Sequence, residues 1–326
     1  MSAPRKRSGT LTKERSSRMK SKLFLLFLGI MIMIVVGLLV AGCGLISNTG
    51  AYNDYYYPDW TSDGKIICIK KVSAWEETGS WPGGGTSRRI TSEKYYIVTM
   101  DENGNNEKII KQINGIGKVA ASPLGNYIAY SDNNLLRITS NLGVDISSIN
   151  CGQNFQINTF DWSPDETKLI FDAGLSPNYE QAIINRDGSN KQIISNNGSS
   201  VAWRYGDKII MDKPIPGEVF RVVTLNGTYL TEINYYPKIQ GGEYNIIKAN
   251  TSEVIYSSAY EQGIKRFYLI SPEADPIIII NRNDIWNIHI SPDGTKIIGN
   301  GTGSGTDFGS EVLKINIDGT GFIKIK

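Results

Sequence analysis

The chain has 326 residues, of which 40% are hydrophobic and 20% are charged, a balance typical of a globular protein. Its net charge of +2 is unevenly divided: residues 1–43 carry +7, with eight lysines and arginines against one acid, and the remainder carries −5. A mildly acidic body argues against nucleic-acid binding, which normally leaves a basic footprint on the sequence. A single histidine without paired cysteines gives no sign of a metal site, and we predict no cofactor.

The amino-terminal leader has the features of a membrane-targeting segment. Its basic residues precede an uncharged run of 21 residues, from Leu23 to Cys43, which is long enough to span a bilayer. A basic flank stays in the cytoplasm, so the rest of the chain is predicted to be exported. Residues 44–53 are rich in Ser, Asn and Gly and are predicted to form a linker.

The end of this run, Leu39-Val-Ala-Gly-Cys43, resembles the lipobox of bacterial lipoprotein signal peptides. The resemblance implies that Cys43 carries a lipid anchor and becomes the mature amino terminus. An uncleaved transmembrane helix is the alternative. Both place the protein at a bacterial cell membrane or outer membrane, with its body facing the periplasm or the cell exterior.

The body of the chain is built from repeats. Six copies of a strand–turn–strand phrase follow one another at spacings of 61, 41, 41, 45 and 42 residues. In the clearest copies the turn is Ser-Pro-Asp, where proline presets φ and aspartate can bond its own backbone. Aligned on the residue before the turn, the copies start at Trp60, Ala121, Trp162, Trp203, Lys248 and Ile290.

A second strand–turn–strand phrase follows each copy, usually with Asp-Gly or Asn-Gly in the turn, a strong hairpin signal. Four short strands in about 40–45 residues match the size of one propeller blade. A blade cannot bury both of its faces alone, so blades pack around an axis. We therefore predict an all-β fold for residues 54–326, a six-bladed β-propeller of four-stranded antiparallel blades, preceded by the amino-terminal anchor segment.

The repeat is similar to that of TolB-like six-bladed propellers. The similarity rests on Ser291-Pro-Asp-Gly-Thr-Lys-Ile297, followed about twenty residues later by Ile315-Asn-Ile-Asp-Gly319. Such propellers occur in periplasmic scaffolds, in exported lipoproteins and as gating domains of serine peptidases, so the resemblance implies a fold and leaves the function open. The segment between Cys43 and the first repeat is too short for the amino-terminal α/β domain of TolB itself.

The sequence contains no recognisable catalytic motif. A serine hydrolase needs a Gly-x-Ser-x-Gly elbow, and Gly301-Thr-Gly-Ser-Gly305 has its serine in the wrong place. His289 lies in a predicted strand and is interpreted as structural. No catalytic residue is predicted.

Other candidate sites are better explained by structure. The acids Asp63, Asp165, Asp293 and Asp318 fall in turns of separate blades, so turn formation is favoured over a Ca²⁺ site. The run Gly299–Gly305 lacks the Lys-Ser/Thr of a phosphate-binding loop and is predicted to be a flexible hairpin loop. Cys68 and Cys151 are predicted to be unpaired thiols, with a bridge between them as the alternative.

Two segments depart from the repeat, Val72–Ser92 and Gly299–Ser310. Each is predicted to be a loop between the second and third strands of its blade, and the loops become neighbours when blades one and six meet. Loops on a rigid scaffold often carry binding, and Trp and Arg are enriched at interface hot spots. The alternative is that the tryptophans pack on their own loops. The candidate partner-binding residues are Trp75, Trp81, Arg88, Arg89, Asp307 and Phe308.

These features predict a membrane-anchored, non-enzymatic scaffold that binds an envelope protein or a glycan. The alternatives are a lyase or hydrolase that uses acids in the central funnel, and a purely structural envelope component. A cluster of convergent polar groups with perturbed pKa values would favour the enzyme, and the sequence reveals none. The closure of the ring is also open, since Tyr52–Tyr57 can begin blade one or pair into blade six.

Overall fold

The computed structural model describes residues 49–78, 87–151, 156–175, 178–196, 201–204, 208–212, 219–234, 245–249, 255–261, 264–271, 274–281, 285–302 and 308–326. The leader with Cys43, and the candidate residues Trp81 and Asp307, lie outside these ranges. Within them, no helix has the length and apolarity needed to cross a bilayer.

The described residues form 24 strands arranged in six four-stranded antiparallel sheets, and each sheet keeps its strands in chain order. The strands of sheets 1 to 3 are β1 (Thr49–Trp60), β2 (Ile66–Thr78), β3 (Ser87–Met100), β4 (Lys108–Ile113); β5 (Val119–Ala121), β6 (Tyr127–Asp132), β7 (Leu135–Ser140), β8 (Asp145–Asn150); β9 (Ile157–Trp162), β10 (Lys168–Leu175), β11 (Asn178–Asn185) and β12 (Gln192–Ser195). The strands of sheets 4 to 6 are β13 (Val201–Arg204), β14 (Lys208–Asp212), β15 (Val219–Thr224), β16 (Tyr229–Asn234); β17 (Asn245–Ala249), β18 (Ile255–Glu261), β19 (Ile264–Ser271), β20 (Ala274–Asn281); β21 (Ile285–Ile290), β22 (Lys296–Thr302), β23 (Phe308–Asn316) and β24 (Ile323–Lys324).

The Ser-Pro-Asp phrase forms the turn between the first and second strands of its sheet. Ser163 Oγ accepts a hydrogen bond from Lys168 N at 2.9 Å and donates one to Asp165 Oδ1 at 2.6 Å. Ser291 makes the equivalent bonds with Lys296 N and Asp293. These local bonds satisfy backbone groups that the strand ladder leaves free, which explains why the phrase suits a turn between two strands.

The core lies between the sheets, and both faces of a central strand are buried. Along β10, Leu169 and Phe171 belong to the cluster shared with sheet 2, whereas Ile170 belongs to the cluster shared with sheet 4. Successive side chains of a strand point to opposite faces, so an uninterrupted apolar run serves two interfaces at once. Each such side chain, fully buried, contributes roughly 1.5–3 kcal/mol.

The last sheet contacts the first in the same way as consecutive sheets contact each other. Trp162 Nε1 of sheet 3 donates to Ala120 O of sheet 2 at 3.4 Å, and Trp60 Nε1 of sheet 1 donates to His289 O of sheet 6 at 3.3 Å. β1 pairs with β2, and β24 pairs with β23. The run Tyr52–Tyr57 therefore begins sheet 1, and the two ends meet by packing.

The chain divides into two compact units, one of which contains Trp75–Ile90 and the other Ala51–Ala74 and Thr91–Lys326. The predicted loop Val72–Ser92 is mostly strand, because β2 continues to Thr78 and β3 begins at Ser87. The connection between the second and third strands is therefore only residues 79–86. β1 begins at Thr49, so the last five residues of the predicted linker also belong to a strand.

The described part of the predicted glycine-rich loop, residues 299–302, is also more regular than predicted. Gly299 and Gly301 lie in β22, whereas the sequence predicted a flexible loop. A Cβ on Gly299 would lie 2.8 Å from both the Ile285 side chain and Trp286 O, and one on Gly301 would lie 2.7 Å from Leu313. These glycines allow close packing against their neighbours rather than flexibility.

Candidate functional site

A cavity of about 560 Å³ opens where the first strands of sheets 2 and 3 begin. First strands of consecutive sheets contact one another, as β5 contacts β9 and β9 contacts β13. The wall includes the segments that lead into β5 and β9 and the hairpin between β6 and β7. Its residues are Tyr57, Ile116, Gly117, Lys118, Ser131, Asn133, Asn134, Gln156, Ile157 and Asn158.

Among the described residues of the cavity wall, Lys118 is the one with a charged side chain. Its backbone is held by Ser131: Lys118 N donates to Ser131 Oγ at 2.8 Å, and Ser131 N donates to Lys118 O at 2.9 Å. The preceding Gly117 permits this approach, since a Cβ there would lie 2.0 Å from Ser131 O. Burial lowers the pKa of Lys118 to about 8, and the charge of Asp172 opposes that shift.

Asp172 lies on β10 behind the wall and is fully buried. Its Oδ2 accepts a hydrogen bond from Asn158 Nδ2 at 3.2 Å, and its Oδ1 has no hydrogen-bond partner among the described residues. Burial raises the pKa of Asp172 to about 6, against the opposing effects of the Asn158 hydrogen bond and the Lys118 charge. Lys118 in the cavity wall and Asp172 behind it therefore form a partly compensated pair of opposite charges.

Two wall residues have backbone conformations that side chains rarely adopt. Tyr57 has φ +50° and Asn133 has φ +57°. Asparagine tolerates the left-handed region, but a bulky aromatic residue there is an outlier. Tyr57 is held in place because its N–H donates to Asn300 Oδ1 of sheet 6 at 2.8 Å. Such strain concentrates at functional sites, where the surrounding structure enforces it.

The cavity is suited to a polar ligand. Three amide residues, Asn133, Asn134 and Gln156, lie in the wall together with Ser131 and Lys118. Asn133 Nδ2 also donates to Asp132 Oδ1, and Asn134 Nδ2 donates to Asn150 Oδ1, each at 3.4 Å. An amide offers two donors and an acceptor, so the set can pair with hydroxyl, carbonyl or carboxylate groups. Convergent polar groups of this kind are typical of small-molecule sites.

The predicted partner-binding residues are found elsewhere. The Arg88 guanidinium stacks over the Trp75 ring, with its central carbon 4.3 Å from the ring centroid, and Arg89 Nη1 lies 3.9 Å from Glu76 Oε1. The indole edge packs so closely on Gly50 that a Cβ there would lie 2.4 Å from Trp75 Cζ2. Trp75 therefore packs between Arg88 of β3 and Gly50 of β1, while Arg88 and Arg89 remain exposed.

Phe308 is the first residue of β23, next to a connection that lies outside the described residues. His289 Nδ1 lies 3.0 Å from Asp59 Oδ1, at the contact between sheets 6 and 1. Cys68 and Cys151 are both buried free thiols, which confirms that they are unpaired. The part of the chain that the structure describes holds no group of His, Cys, Asp or Glu suited to a metal ion.

Sequence reasoning missed Lys118 and Asp172. The available signal was a charge inside a buried strand: Asp172 directly follows the apolar run Leu169-Ile-Phe171. A carboxyl group in that position must be buried, and buried carboxyl groups mark functional sites more often than turn acids do. Lys118 had no comparable signal, because its approach to Asp172 depends on how sheets 2 and 3 pack.

No protein-family model matches the chain, and no curated protein matches it. Among solved structures, TolB from Acinetobacter baumannii is similar with a TM-score of 0.55 and 14% sequence identity, covering 69% of this chain and 58% of that one, less than two thirds of its length. An oligogalacturonate lyase from Vibrio parahaemolyticus has a TM-score of 0.49 and 12% identity over 86% of this chain and 85% of that chain. The calcium-binding protein regucalcin from Agrobacterium tumefaciens has a TM-score of 0.48 and 9% identity over 76% and 81%. The likeness to TolB, together with the four-stranded sheets, shows that the fold is a β-propeller.

Proposed function

We propose that the protein is a membrane-anchored, extracytoplasmic binding scaffold without enzymatic activity, and that the cavity around Lys118 is its principal binding site. The observation that carries this proposal is the convergence of amide, hydroxyl and ammonium groups in the cavity wall. Hydroxyl-rich ligands match such a set of donors and acceptors, so a glycan of the cell envelope is the favoured occupant.

The scaffold is a closed ring of six blades, each formed by one sheet. Support comes from the equivalent tryptophan hydrogen bonds at the junctions of sheets 2 and 3 and of sheets 6 and 1. A second support is the cluster of Tyr55, Trp60, Ile298 and Val312, which joins sheet 1 to sheet 6 as other clusters join consecutive sheets. A closed ring leaves no unpaired face, which suits a rigid support for a binding site.

The anchor is a lipid on Cys43, and the transmembrane helix is the alternative. The support is the basic leader, the 21-residue uncharged run and the resemblance of its end to a lipobox. Metabolic labelling with a radioactive fatty acid should mark the wild-type protein and leave the Cys43→Ala variant unlabelled. Label on both proteins, or on neither with both retained in the membrane, would contradict lipidation at Cys43.

The binding function is tested with a glycan array. The full-length protein in detergent is compared with Gln156→Trp, which obstructs the cavity mouth at an exposed position. Gln192→Trp, on exposed β12, is the matched control. We expect glycan binding that Gln156→Trp reduces at least tenfold and Gln192→Trp preserves. Equal binding by all three would place the site elsewhere, and an array without any signal would contradict glycan binding.

The hairpin formed by β2 and β3 is proposed as a second surface, for an envelope protein. Arg88 and Arg89 of this hairpin are exposed. Because Trp75 supports the hairpin itself, Arg88→Ala/Arg89→Ala is the cleaner variant for affinity capture from native membranes. A partner that this variant fails to capture supports the surface, and an unchanged set of partners contradicts it.

A lyase or hydrolase at the cavity is the second candidate. It is favoured by the neighbouring Lys118 and Asp172, whose pKa values of about 8 and about 6 both lie near neutrality. Lys118, a residue of the cavity wall, would act as the base. Mass spectrometry of a bound glycan after incubation distinguishes the candidates: recovery of the intact glycan supports the scaffold, and shortened products that disappear in Lys118→Met support the enzyme.

A further inference from the structure

Lys118 has no carboxylate within ion-pair distance among the described residues, in contrast to three other half-buried lysines. Lys70 Nζ lies 2.6 Å from Glu107, Lys71 Nζ lies 2.7 Å from Glu93 and Lys111 Nζ lies 2.9 Å from Asp145. Among the described residues, none offers Lys118 a carboxylate oxygen within the 4.0 Å of an ion pair. An ammonium removed from water without a paired anion is costly, so the site favours any ligand that supplies one.

The buried Asp172 partly compensates the charge of Lys118 from behind the cavity wall. It lies behind Asn158, whose amide donates to Asp172 Oδ2 at 3.2 Å, and it is not part of the cavity wall. The pair is neutral overall, but Lys118 belongs to the cavity wall and Asp172 does not. We infer that a ligand in the cavity lies nearer to the positive charge than to the negative one, although residues 44–326 together carry −5.

The groups beside Lys118 complement a carboxylate that is flanked by hydroxyl groups. Side-chain amides from Asn133, Asn134 and Gln156 supply N–H donors for carboxylate oxygens and carbonyl acceptors for hydroxyl groups. No carboxylate stands among the described wall residues to repel an anion. A charge-assisted bond from an ammonium to a carboxylate is about twice as strong as one between neutral groups.

We propose that the cavity selects a polyhydroxylated organic anion, with the carboxylate of the ligand on Lys118 Nζ and its hydroxyl groups on the neighbouring amides. This inference rests on the proposed binding function and specifies the ligand class of the same site. Recognition depends on one positive charge, so a neutral polyol of the same length binds more weakly.

The experiment uses two matched pairs of ligands that differ only in the acid group, gluconate with sorbitol and glycerate with glycerol. Their affinities for the full-length protein in detergent are measured by isothermal titration calorimetry at pH 7. We expect each acid to bind on the order of tenfold more tightly than its alcohol, the difference that a charge-assisted bond provides over a neutral one.

Three variants separate charge from folding. Lys118→Met should abolish the preference for the acids, and Lys94→Met, which removes an exposed lysine of β3, should retain it. Because Lys118→Met leaves Asp172 uncompensated, the double variant Lys118→Met/Asp172→Asn restores a neutral pair. It should bind the alcohols as the wild type does and show no preference for the acids.

Each outcome decides the inference. A preference that is lost in both Lys118 variants and kept in Lys94→Met supports it. Equal binding of acids and alcohols overturns the anion selectivity while the proposed binding function stands. A preference that survives in the double variant overturns the role of Lys118. Absence of binding by all four ligands overturns the ligand class, and the glycan array then decides separately whether the cavity binds any glycan.

Discussion

At the scale of single residues, the cavity depends on a few side chains placed against their ordinary preferences. Asp172 is fully buried, and Tyr57 has a left-handed backbone. Both are costly arrangements that a purely structural blade does not need. Tyr57 lines the cavity, and Asp172 is hydrogen-bonded to the wall residue Asn158. The occurrence of both at one cavity is the strongest indication that this part of the molecule has a function.

The burial of Asp172 predicts a particular dependence of stability on pH. Its folded-state pKa is raised from 3.8 to about 6, so the native protein holds this proton more tightly than the unfolded chain does. The resulting stabilisation is fully present below about pH 4 and is lost as the pH rises through about 6. Relative to Asp172→Asn, the wild type should lose roughly 1–3 kcal/mol of unfolding free energy between pH 4 and pH 7.

Urea unfolding at several pH values measures the difference in unfolding free energy between the wild type and Asp172→Asn. The prediction concerns how this difference changes with pH, so a part of it that is independent of pH has no effect. Lys118, with a pKa of about 8, keeps its charge over most of this range. Asp187→Asn is the control, because hydrogen bonds from Ser189 lower the pKa of this exposed turn acid. A lowered pKa makes the stabilisation by Asp187 grow with rising pH, the opposite of what is expected for Asp172. The same direction of pH dependence for both residues would contradict the prediction.

At the scale of elements, the turns between first and second strands join neighbouring sheets. Glu166 stands in the turn position that Gly294 fills in the last repeat, and its φ of +58° is unfavourable for a glutamate. Its buried carboxylate accepts hydrogen bonds from Leu124 N at 2.7 Å and Asn126 Nδ2 at 2.8 Å, both in the corresponding turn of sheet 2. The link between sheets offsets the local backbone strain.

Removing this link should destabilise the protein, even though the substitution opens little of the hydrophobic core. Glu166→Ala leaves the Leu124 N–H and the Asn126 amide without their acceptor, and we expect a loss of about 2–4 kcal/mol in unfolding free energy. Asp187→Ala, which removes an exposed acid from another turn, should cost much less. Equal losses in the two variants would show that Glu166 acts only within its own turn.

At the scale of the whole molecule, the contact between the last and first sheets decides whether the chain closes. Asn300 of β22 is almost completely buried. It accepts a hydrogen bond from Tyr57 N at 2.8 Å and donates one to Tyr55 O at 2.9 Å. One side chain thus pairs two backbone groups of β1 and holds Tyr57 at the cavity wall, so closure and the candidate site are coupled.

Asn300→Ala should therefore affect both stability and ligand binding. Two buried backbone groups lose their partner, and we expect a loss of about 2–3 kcal/mol in unfolding free energy together with weaker binding at the cavity. The exposed Asn105→Ala is the control and should change neither property measurably. Urea unfolding and calorimetry measure the two effects, and wild-type affinity in a destabilised Asn300→Ala protein would separate closure from the site.

The repeat architecture was predictable because its signals are local. Turn chemistry in Ser163-Pro-Asp and Ser291-Pro-Asp-Gly, and apolar runs such as Leu169-Ile-Phe171, specify strands and their reversals within a few residues. β2 and β22 extend further than the sequence predicts, because glycine and polar residues, which are typical of loops, lie within these strands. In Gly299 and Gly301 the missing side chain serves packing, which only neighbouring strands reveal.

The sequence by itself determined the all-β class, the four-strand repeat and the hydrophobic leader, since each depends on residues that are close along the chain. The tertiary structure alone decided the candidate site. Lys118 and Asp172 are more than fifty residues apart and lie in different sheets, and their meeting depends on how those sheets pack. The pKa values of both groups follow from burial, a property that no pattern of neighbouring residues specifies.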